Sequence, residues 1–488
     1  MAEDSAEWLE LSQLFGPDHQ ARIVEESVNR LDGSLLHDAY RGVGSKAYRP
    51  ELMLKVVLFE HAQGRLSPAQ WERDAREHRA LVWLGRGIQP SRRAWYRFRD
   101  RMAGVIESLH AHQISQAQAE GLVDTETGVQ DGTTFRACAS RHRVVNRATL
   151  HKRQENLQSA IAADTVGQPV EQTPGWMART ASGRLEQAKR LEQAEKVLEQ
   201  RIAENARKPK DKRLNEERIQ VSLSDPVAPL GRDKEKVFCP LYTAQFLVAP
   251  VSLLVMAWGV FAKATDAGTL PVLIDQAQKT VKPSLKKVLA DAAYATLLDL
   301  KACLQRGILL LAPVQENSFT ERKREAAKMK QISREEFTWV PDQQVYLCPQ
   351  GHVLEHRTQE RQWRSGDQYV IQHHYRCSPQ HCQNCPAATQ CVKDASKGRV
   401  IKRMEGQELL DAQRVMMSQP DIKAEYKVRG QVVERSFADA KHHRQFRRLH
   451  GRGLARATAE VGLLVLTQNT LTLHRLRKNA LNSENDTS

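Results

Sequence analysis

Long apolar runs are scarce in this chain. The most apolar stretch, 246–262 (FLVAPVSLLVMAWGVFA), falls short of the roughly 20 residues a membrane helix needs, and Pro250 and Gly259 interrupt it. It reads instead as two buried strands, about 243–249 and 253–261, joined by a tight turn at Pro250-Val251-Ser252, because strands covered on both faces are apolar throughout. The opening MAEDSAEWLEL lacks the basic-then-apolar layout of a secretory leader, so a cytoplasmic setting without membrane contact is expected. Cysteine is sparse, eight in 488 residues, and in such a compartment these are thiols or metal ligands rather than disulfides. Acidic residues are in deficit, 58 against 73 Lys and Arg, a net charge of +15. That balance favours a polyanionic partner, nucleic acid before membrane.

The length suggests about three domain-sized units. Residues 1–120 carry apolar positions at helical spacing, with Gly64 and Ser67-Pro68 marking a break and a helix start. Within them SRRAWYRFRDRM (91–102) places five Arg among Trp95, Tyr96 and Phe98. Such a helix offers Arg92, Arg93 and Arg97 to DNA, or else packs its aromatics inward and leaves a solvated basic face.

Around 122–137 the pattern alternates, and Val129, Asp131, Thr133 and Phe135 share one strand face. Gly132 permits close approach to the backbone. Residues 141–215 are polar, with Ala188, Leu191, Leu198 and Ile202 at heptad-like steps, which fits a helical hairpin inserted between strands. After the two apolar strands, DAGTLPVLIDQAQKTV reads as a helix. VLADAAY (288–294) then ends a short strand on Asp291. ATLLDLKACLQRG follows as a helix with Leu297, Leu300 and Leu304 on one face and Gly307 as its stop, and ILLLAP as a second strand. Strand, helix, strand at this spacing is a parallel crossover, and its carboxyl edge, where Asp291 sits, is where α/β sheets place ligands. Asp291 could equally cap the helix it precedes.

Residues 314–420 break that layout with short strands and a cysteine cluster. The segment 423–456 holds ten Lys or Arg against three acids, with Val433, Phe437 and Ala440 on one helical face, Glu434 beside it and Lys441 two turns on. Arg444, Arg447 and Arg448 extend the basic run, and 454–478 reads as a long buried helix. Three carboxylates in related settings, Asp131, Asp291 and Glu434, suit two-metal phosphoryl transfer, in which hard oxygen ligands hold divalent ions.

Several segments, in order, resemble one family. YRPELMLKVVLFEHAQGRLS with WERDAREHRALVWLGRG, QDGTTFRACASRHR, LSDP followed by YTAQ, VLADAAY, and VVERSFADAKHHRQFRRLHGRGL are similar to bacterial insertion-sequence transposases of the IS1182 group, within the IS5/IS4-like DDE transposases. The resemblance implies an α/β, RNase H-like catalytic core over 121–140 and 216–313, interrupted by a helical insertion (141–215) and a mixed β insertion with the cysteines (314–420). An all-helical DNA-binding domain (1–120) precedes it, and a C-terminal helical part (421–488) carries the glutamate. It implies catalysis and metal binding by Asp131, Asp291 and Glu434, with two Mg²⁺ or Mn²⁺ ions. The activity would be cleavage at terminal inverted repeats and strand transfer into target DNA, by a homo-oligomer in a bacterial, nucleoid-associated setting. The family's final signature maps onto Tyr426, Arg429, Glu434 and Lys441 with the Glu-x6-Lys spacing kept, and the resemblance implies that Tyr426, Arg429 and Lys441, with Arg444, Arg447 and Arg448, hold DNA near the metals. Arg429 stands one residue further from the glutamate than in the family pattern, and Ala293 replaces a usual Gly. Two other readings share these residues: a catalytically inactive DNA-binding descendant, and an RNase H-like nuclease without strand transfer.

Separately, Cys382-x2-Cys385 is a metal-knuckle spacing. With Cys348, Cys377 and Cys391 nearby, it makes a structural Zn²⁺ site the expectation to set against a cluster of reduced thiols.

Overall fold

The computed structural model describes residues 5–38, 40, 47–168, 170, 173–208, 210, 213–280, 285–315, 332–363 and 369–486. Its N-terminal part is helical: α1 (Ala6–Gln13), α2 (Gln20–Asn29), α3 (Gly33–Asp38), α4 (Pro50–Ala62), α5 (Pro68–Glu77), α6 (Arg79–Leu84), α7 (Arg92–Met102) and α8 (Ile106–Ala119). Ser67 precedes Pro68 at the first position of α5, and the Ser91 hydroxyl accepts the Ala94 N–H at the start of α7. Helix α4 is buried over nearly its whole surface, so it is the centre of this bundle rather than its skin.

The chain then enters strand β1 (Thr127–Arg136), whose Val129, Thr133 and Phe135 are buried as the alternation requires. A helical hairpin, α9 (Arg147–Thr165) against α10 (Ala181–Ala206), leaves and returns through the paired strands β2 (Val144–Val145) and β3 (Val221–Ser222). Leu191, Leu198 and Ile202 fill a core of its own.

Strands β4 (Leu230–Arg232), β5 (Phe238–Val248) and β6 (Val255–Phe261) follow, then α11 (Leu270–Thr280), β7 (Lys287–Leu289), α12 (Leu297–Gln305) and β8 (Leu309–Leu311). The apolar run therefore forms an antiparallel hairpin, β5 with β6. β5 also pairs antiparallel with β1, and β1, β7 and β8 pair parallel, giving the order β6–β5–β1–β7–β8 with β4 on the start of β5. The crossover through α12 is as expected, with one correction: Leu304 is 66% exposed, and α12 buries Leu297, Asp299, Leu300 and Cys303 instead.

A separate five-stranded antiparallel sheet comes next, in the order β13–β12–β11–β10–β9, from β9 (Thr338–Val340), β10 (Val345–Leu347), β11 (Val353–Trp363), β12 (Tyr369–Cys377) and β13 (Val400–Met404). Helix α13 (Gln407–Ser418) returns to the central sheet, where the Gln413 amide donates to the carbonyls of Leu310 and Ala312. Helices α14 (Pro420–Tyr426) and α15 (Val428–Ala438) and a π-helical turn (Asp439–His443) carry the basic segment, and α16 (Leu454–Asp486) closes the fold. Val433, Phe437 and Ala440 are buried, and α15 lies on β1, with Phe437 against Phe246 at 5.3 Å between ring centres. α16 packs on α2, α4, α7, α8 and β6, joining the N-terminal bundle to the sheet. Among the described residues no helix is long and apolar enough to cross a membrane.

Candidate active site

Asp131 lies in β1, and Asp291 lies two residues beyond the end of β7, the strand that pairs parallel with the start of β1. The sheet thus brings together two acids 160 positions apart in the chain. Arg429, near the start of α15, reaches between them: its Nη2 is 3.3 Å from Asp131 Oδ2 and 3.9 Å from Asp291 Oδ2. Its Nε is buried with no hydrogen-bond partner among the described residues. Asp131 Oδ1 accepts the Gly132 N–H at 2.8 Å. Burial pushes the Asp131 carboxyl above its ordinary value. The Arg429 charge and the Gly132 N–H oppose that rise, and the Asp291 charge adds to it.

Asp291 does cap a helix, but not α12. Its Oδ1 accepts the Ala293 N–H at 2.8 Å, closing a 3₁₀ turn over Ala292–Tyr294, while Thr296 caps α12. One carboxylate oxygen is spent on the turn and Oδ2 is the one toward Arg429. Ala293, where the resembling family has Gly, is exposed.

The other expected residues fall into distinct places. Glu434 is exposed on α15 and makes no hydrogen bond or ion pair among the described residues, so the structure does not draw it to the aspartate pair. The Tyr426 hydroxyl donates to the Ala290 carbonyl at 3.0 Å, which ties α14 to the end of β7 rather than offering the phenol to DNA. Lys441 is half-buried, its Nζ 5.5 Å from the centre of the Phe135 ring. Burial, then the nearby Lys234 charge, lowers its pKa to about 8. Arg444 is buried at 4% exposure and paired with Asp439 at 2.7 Å, so it is a structural cation where a DNA contact was expected. Arg447 and Arg448 are exposed, on a segment that pairs with the end of β1 through Arg136 N–H to the Arg447 carbonyl and Leu449 N–H to the Arg136 carbonyl. On α7, Trp95 and Phe98 are buried and Arg92, Arg93 and Arg97 are exposed, with Arg92 near Glu72 at 3.3 Å.

Sequence reasoning passed over Asp266 and Lys234, and took Gln245 only as the end of the YTAQ segment, with no role of its own. Lys234 acts electrostatically on Asp131 and Asp266, and Asp266 feels the Asp291 charge. No local pattern marks Asp266 or Lys234. Asp266 lies in a loop between β6 and α11, and Gln245 hides in an apolar strand. Asp225 and Tyr242, in the LSDP and YTAQ segments, have a structural role: the buried Tyr242 hydroxyl donates to Asp225 Oδ1 at 2.9 Å, and the Gly453 N–H to Oδ2 at 3.0 Å.

Hard carboxylate oxygens are the donors a divalent cation takes, and here the Arg429 guanidinium holds the place between them that such a cation would compete for. Asp131 and Asp291 are the residues that could hold it. Among the described residues, however, no group of three or more His, Cys, Asp or Glu is gathered for a metal. This applies equally to the five cysteines, which are free thiols lining one small cavity of about 20 Å³ with His352 and His381. Cys377, Cys382 and Cys391 are part of the small core under the outer sheet.

Comparison with known families adds the identity of two segments. The Transposase DDE domain family matches residues 347–474. Over that segment the chain is similar to transposase DDE domains. A second family, Transposase domain (DUF772), matches residues 9–101 and so covers most of the N-terminal bundle, α7 included. The DDE match takes in Glu434, the basic segment and the cluster of five cysteines but begins beyond Asp131 and Asp291. DDE transposases in general have an RNase H-like core, use divalent metals and bind DNA. No curated protein matches the chain.

Proposed function

We propose that this protein is a DNA transposase of the IS1182-like kind, which cleaves DNA at terminal inverted repeats and joins the ends to target DNA in a Mg²⁺-dependent reaction. The observation that carries the reading is the meeting of Asp131 and Asp291 at the parallel-paired strands β1 and β7, with Arg429 between them. The mixed order β6–β5–β1–β7–β8 supports an RNase H-like core. Asp131 and Asp291 are the catalytic carboxylates, and Glu434, exposed on the helix packed against β1, would have to turn toward them to serve as the third ligand. A bound divalent metal would supply activation of the attacking water or 3′-hydroxyl and neutralisation of charge at the leaving oxygen.

The chain's own residues do the rest. The Gly132 N–H and the 3₁₀ turn hold the two carboxylates in orientation. Burial of Asp131 keeps water from screening its charge. Arg429 supplies a cation that can exchange its carboxylate partners for a DNA phosphate. Lys441, Arg447 and Arg448 hold the phosphate backbone beside the site, and Arg92, Arg93 and Arg97 add an exposed basic face on α7.

The test is incubation of the purified chain with Mg²⁺, a duplex carrying the inverted repeat that flanks its gene, and a target plasmid. Cleaved ends joined to the plasmid are expected. Binding without cleavage would favour the inactive DNA-binding reading, and cleavage without joining the nuclease reading.

A further inference from the structure

Behind the aspartate pair runs a chain of polar side chains, buried at Gln245 and Tyr294 and half-buried at Asp266, that no role described so far uses. In the β1–β5 pairing Gly132 stands opposite Gln245, and Asp131 opposite Phe246. Side chains alternate across a sheet, so Gln245 projects from the face opposite to Asp131. There its Nε2 donates to Asp266 Oδ1 at 2.5 Å, and its Oε1 accepts the Tyr294 hydroxyl at 2.5 Å. Gln245 is fully buried and Tyr294 is 1% exposed.

The three residues connect separate parts of the site. Tyr294 is the last residue of the turn that Asp291 caps. Asp266 sits in the loop after β6, fastened there because its carbonyl accepts both the N–H and the hydroxyl of Thr269. Gln245 lies in the strand beside Asp131. The network also explains Gly132. A Cβ at that position would collide with the Gln245 amide and stand 2.5 Å from Asp266 Oδ1, so the strand lies flat on this hydrogen bond. An unpaired amide or phenol at such a buried place would be costly, which makes the complete chain the stable arrangement.

We propose that Asp266, Gln245 and Tyr294 form a positioning relay: Asp266 fixes Gln245, Gln245 fixes Tyr294, and the relay sets the spacing between the Asp291 turn and the Asp131 strand. It rests on the reading of Asp131 and Asp291 as the catalytic pair. The relay acts through hydrogen bonds, not through the Asp266 charge, because Gln245 needs only an acceptor oxygen at that point. Asp266→Asn keeps such an oxygen, Asp266→Ala removes it, and Tyr294→Phe removes one hydroxyl and nothing else.

The experiment measures cleavage of the repeat-bearing duplex across a Mg²⁺ titration for the full-length parent and these three variants, with thermal unfolding beside it. Tyr294→Phe and Asp266→Ala should lose cleavage or shift the Mg²⁺ half-saturation by about tenfold to a hundredfold, the range for groups that orient a metal's ligands. Asp266→Asn should stay within about threefold of the parent, because the acceptor is conserved. A folded Tyr294→Phe with the parent's rate and Mg²⁺ half-saturation overturns the relay. So does an Asp266→Asn as impaired as Asp266→Ala, which would make the Asp266 charge a direct participant. A parent chain with no Mg²⁺-dependent cleavage overturns the underlying site reading, and the relay with it.

Discussion

In the central sheet Gln130, Thr133, Thr243 and Gln245 lie between packed layers at no more than 2% exposure, whereas in the outer sheet His356 and Glu360 stand in solvent and His373 and His374 are half-buried. The outer sheet can satisfy polar groups with water. It tolerates loose pairs such as His374 with Glu360 at 3.2 Å and His356 with His373 at 3.2 Å. The central sheet cannot: Gln245 finds its partners inside the protein, while Gln130 Oε1 and Thr133 Oγ1 are buried with none among the described residues. A sheet that spends burial on glutamine and threonine, and sets one carboxylate within β1 and another just past β7, is built to hold those carboxylates in place. The outer sheet is held by an aromatic cluster, with Trp339, Tyr346 and Tyr375 mutually within 5.5 Å, and by its thiols.

The comparison can be broken most sharply by charge removal. Asp131→Asn, in the central sheet, is expected to lower cleavage by about a thousandfold, the scale for losing a group that acts with others as one unit. Glu360→Gln, the matched change on the outer sheet, should leave it within about twofold. Gel quantification of cleaved ends checks both, and equal effects would erase the distinction between the sheets.

Packing gives the next largest contrast. Trp258, 1% exposed in β6, lies between α16 and the sheet, and Trp258→Ala should cost about 3–5 kcal/mol. Trp339 is only half-buried, and Trp339→Ala should cost about 1–3 kcal/mol. Urea unfolding followed by circular dichroism reads the two differences.

The smallest effect is a pH dependence. Lys441 has its pKa lowered from the ordinary 10.5 to about 8, chiefly by burial. Its charge is therefore lost as pH rises through about 8. Between 8 and 10.5 the unfolded chain holds this proton and the folded chain does not, so the group's contribution to folding stability rises with pH while its hold on phosphate fades. Duplex binding followed by fluorescence anisotropy should weaken by about threefold from pH 7 to pH 9. Lys441→Arg should flatten that change, because a guanidinium stays charged.

What the sequence makes legible here is local. Alternation in 129–135 exposed the strand and its Asp131, and the strand-helix-strand spacing around Asp291 exposed the parallel crossover. Helical periodicity picked out Val433, Phe437 and Ala440, although it set Leu304 in the core where α12 buries Cys303, because three leucines at helical steps do not fix which side of the helix meets the sheet. What stayed hidden depends on register. Gln245 matters because it stands opposite Gly132, and Asp266 because a loop delivers it to that amide. Likewise Arg444 reads as one more cation in a basic run, and only the folded chain shows Asp439 claiming it. Tyr426 reads as a DNA contact until its hydroxyl is seen on the Ala290 carbonyl.

The most direct measurement is Mg²⁺-dependent cleavage of the repeat-bearing duplex by Asp291→Asn beside the parent chain, with end binding measured on the same preparations. If Asp131 and Asp291 are the catalytic pair, the variant loses cleavage by at least about a thousandfold and keeps end binding within about twofold, since phosphate contacts lie elsewhere. Retained cleavage by a folded Asp291→Asn would contradict the account.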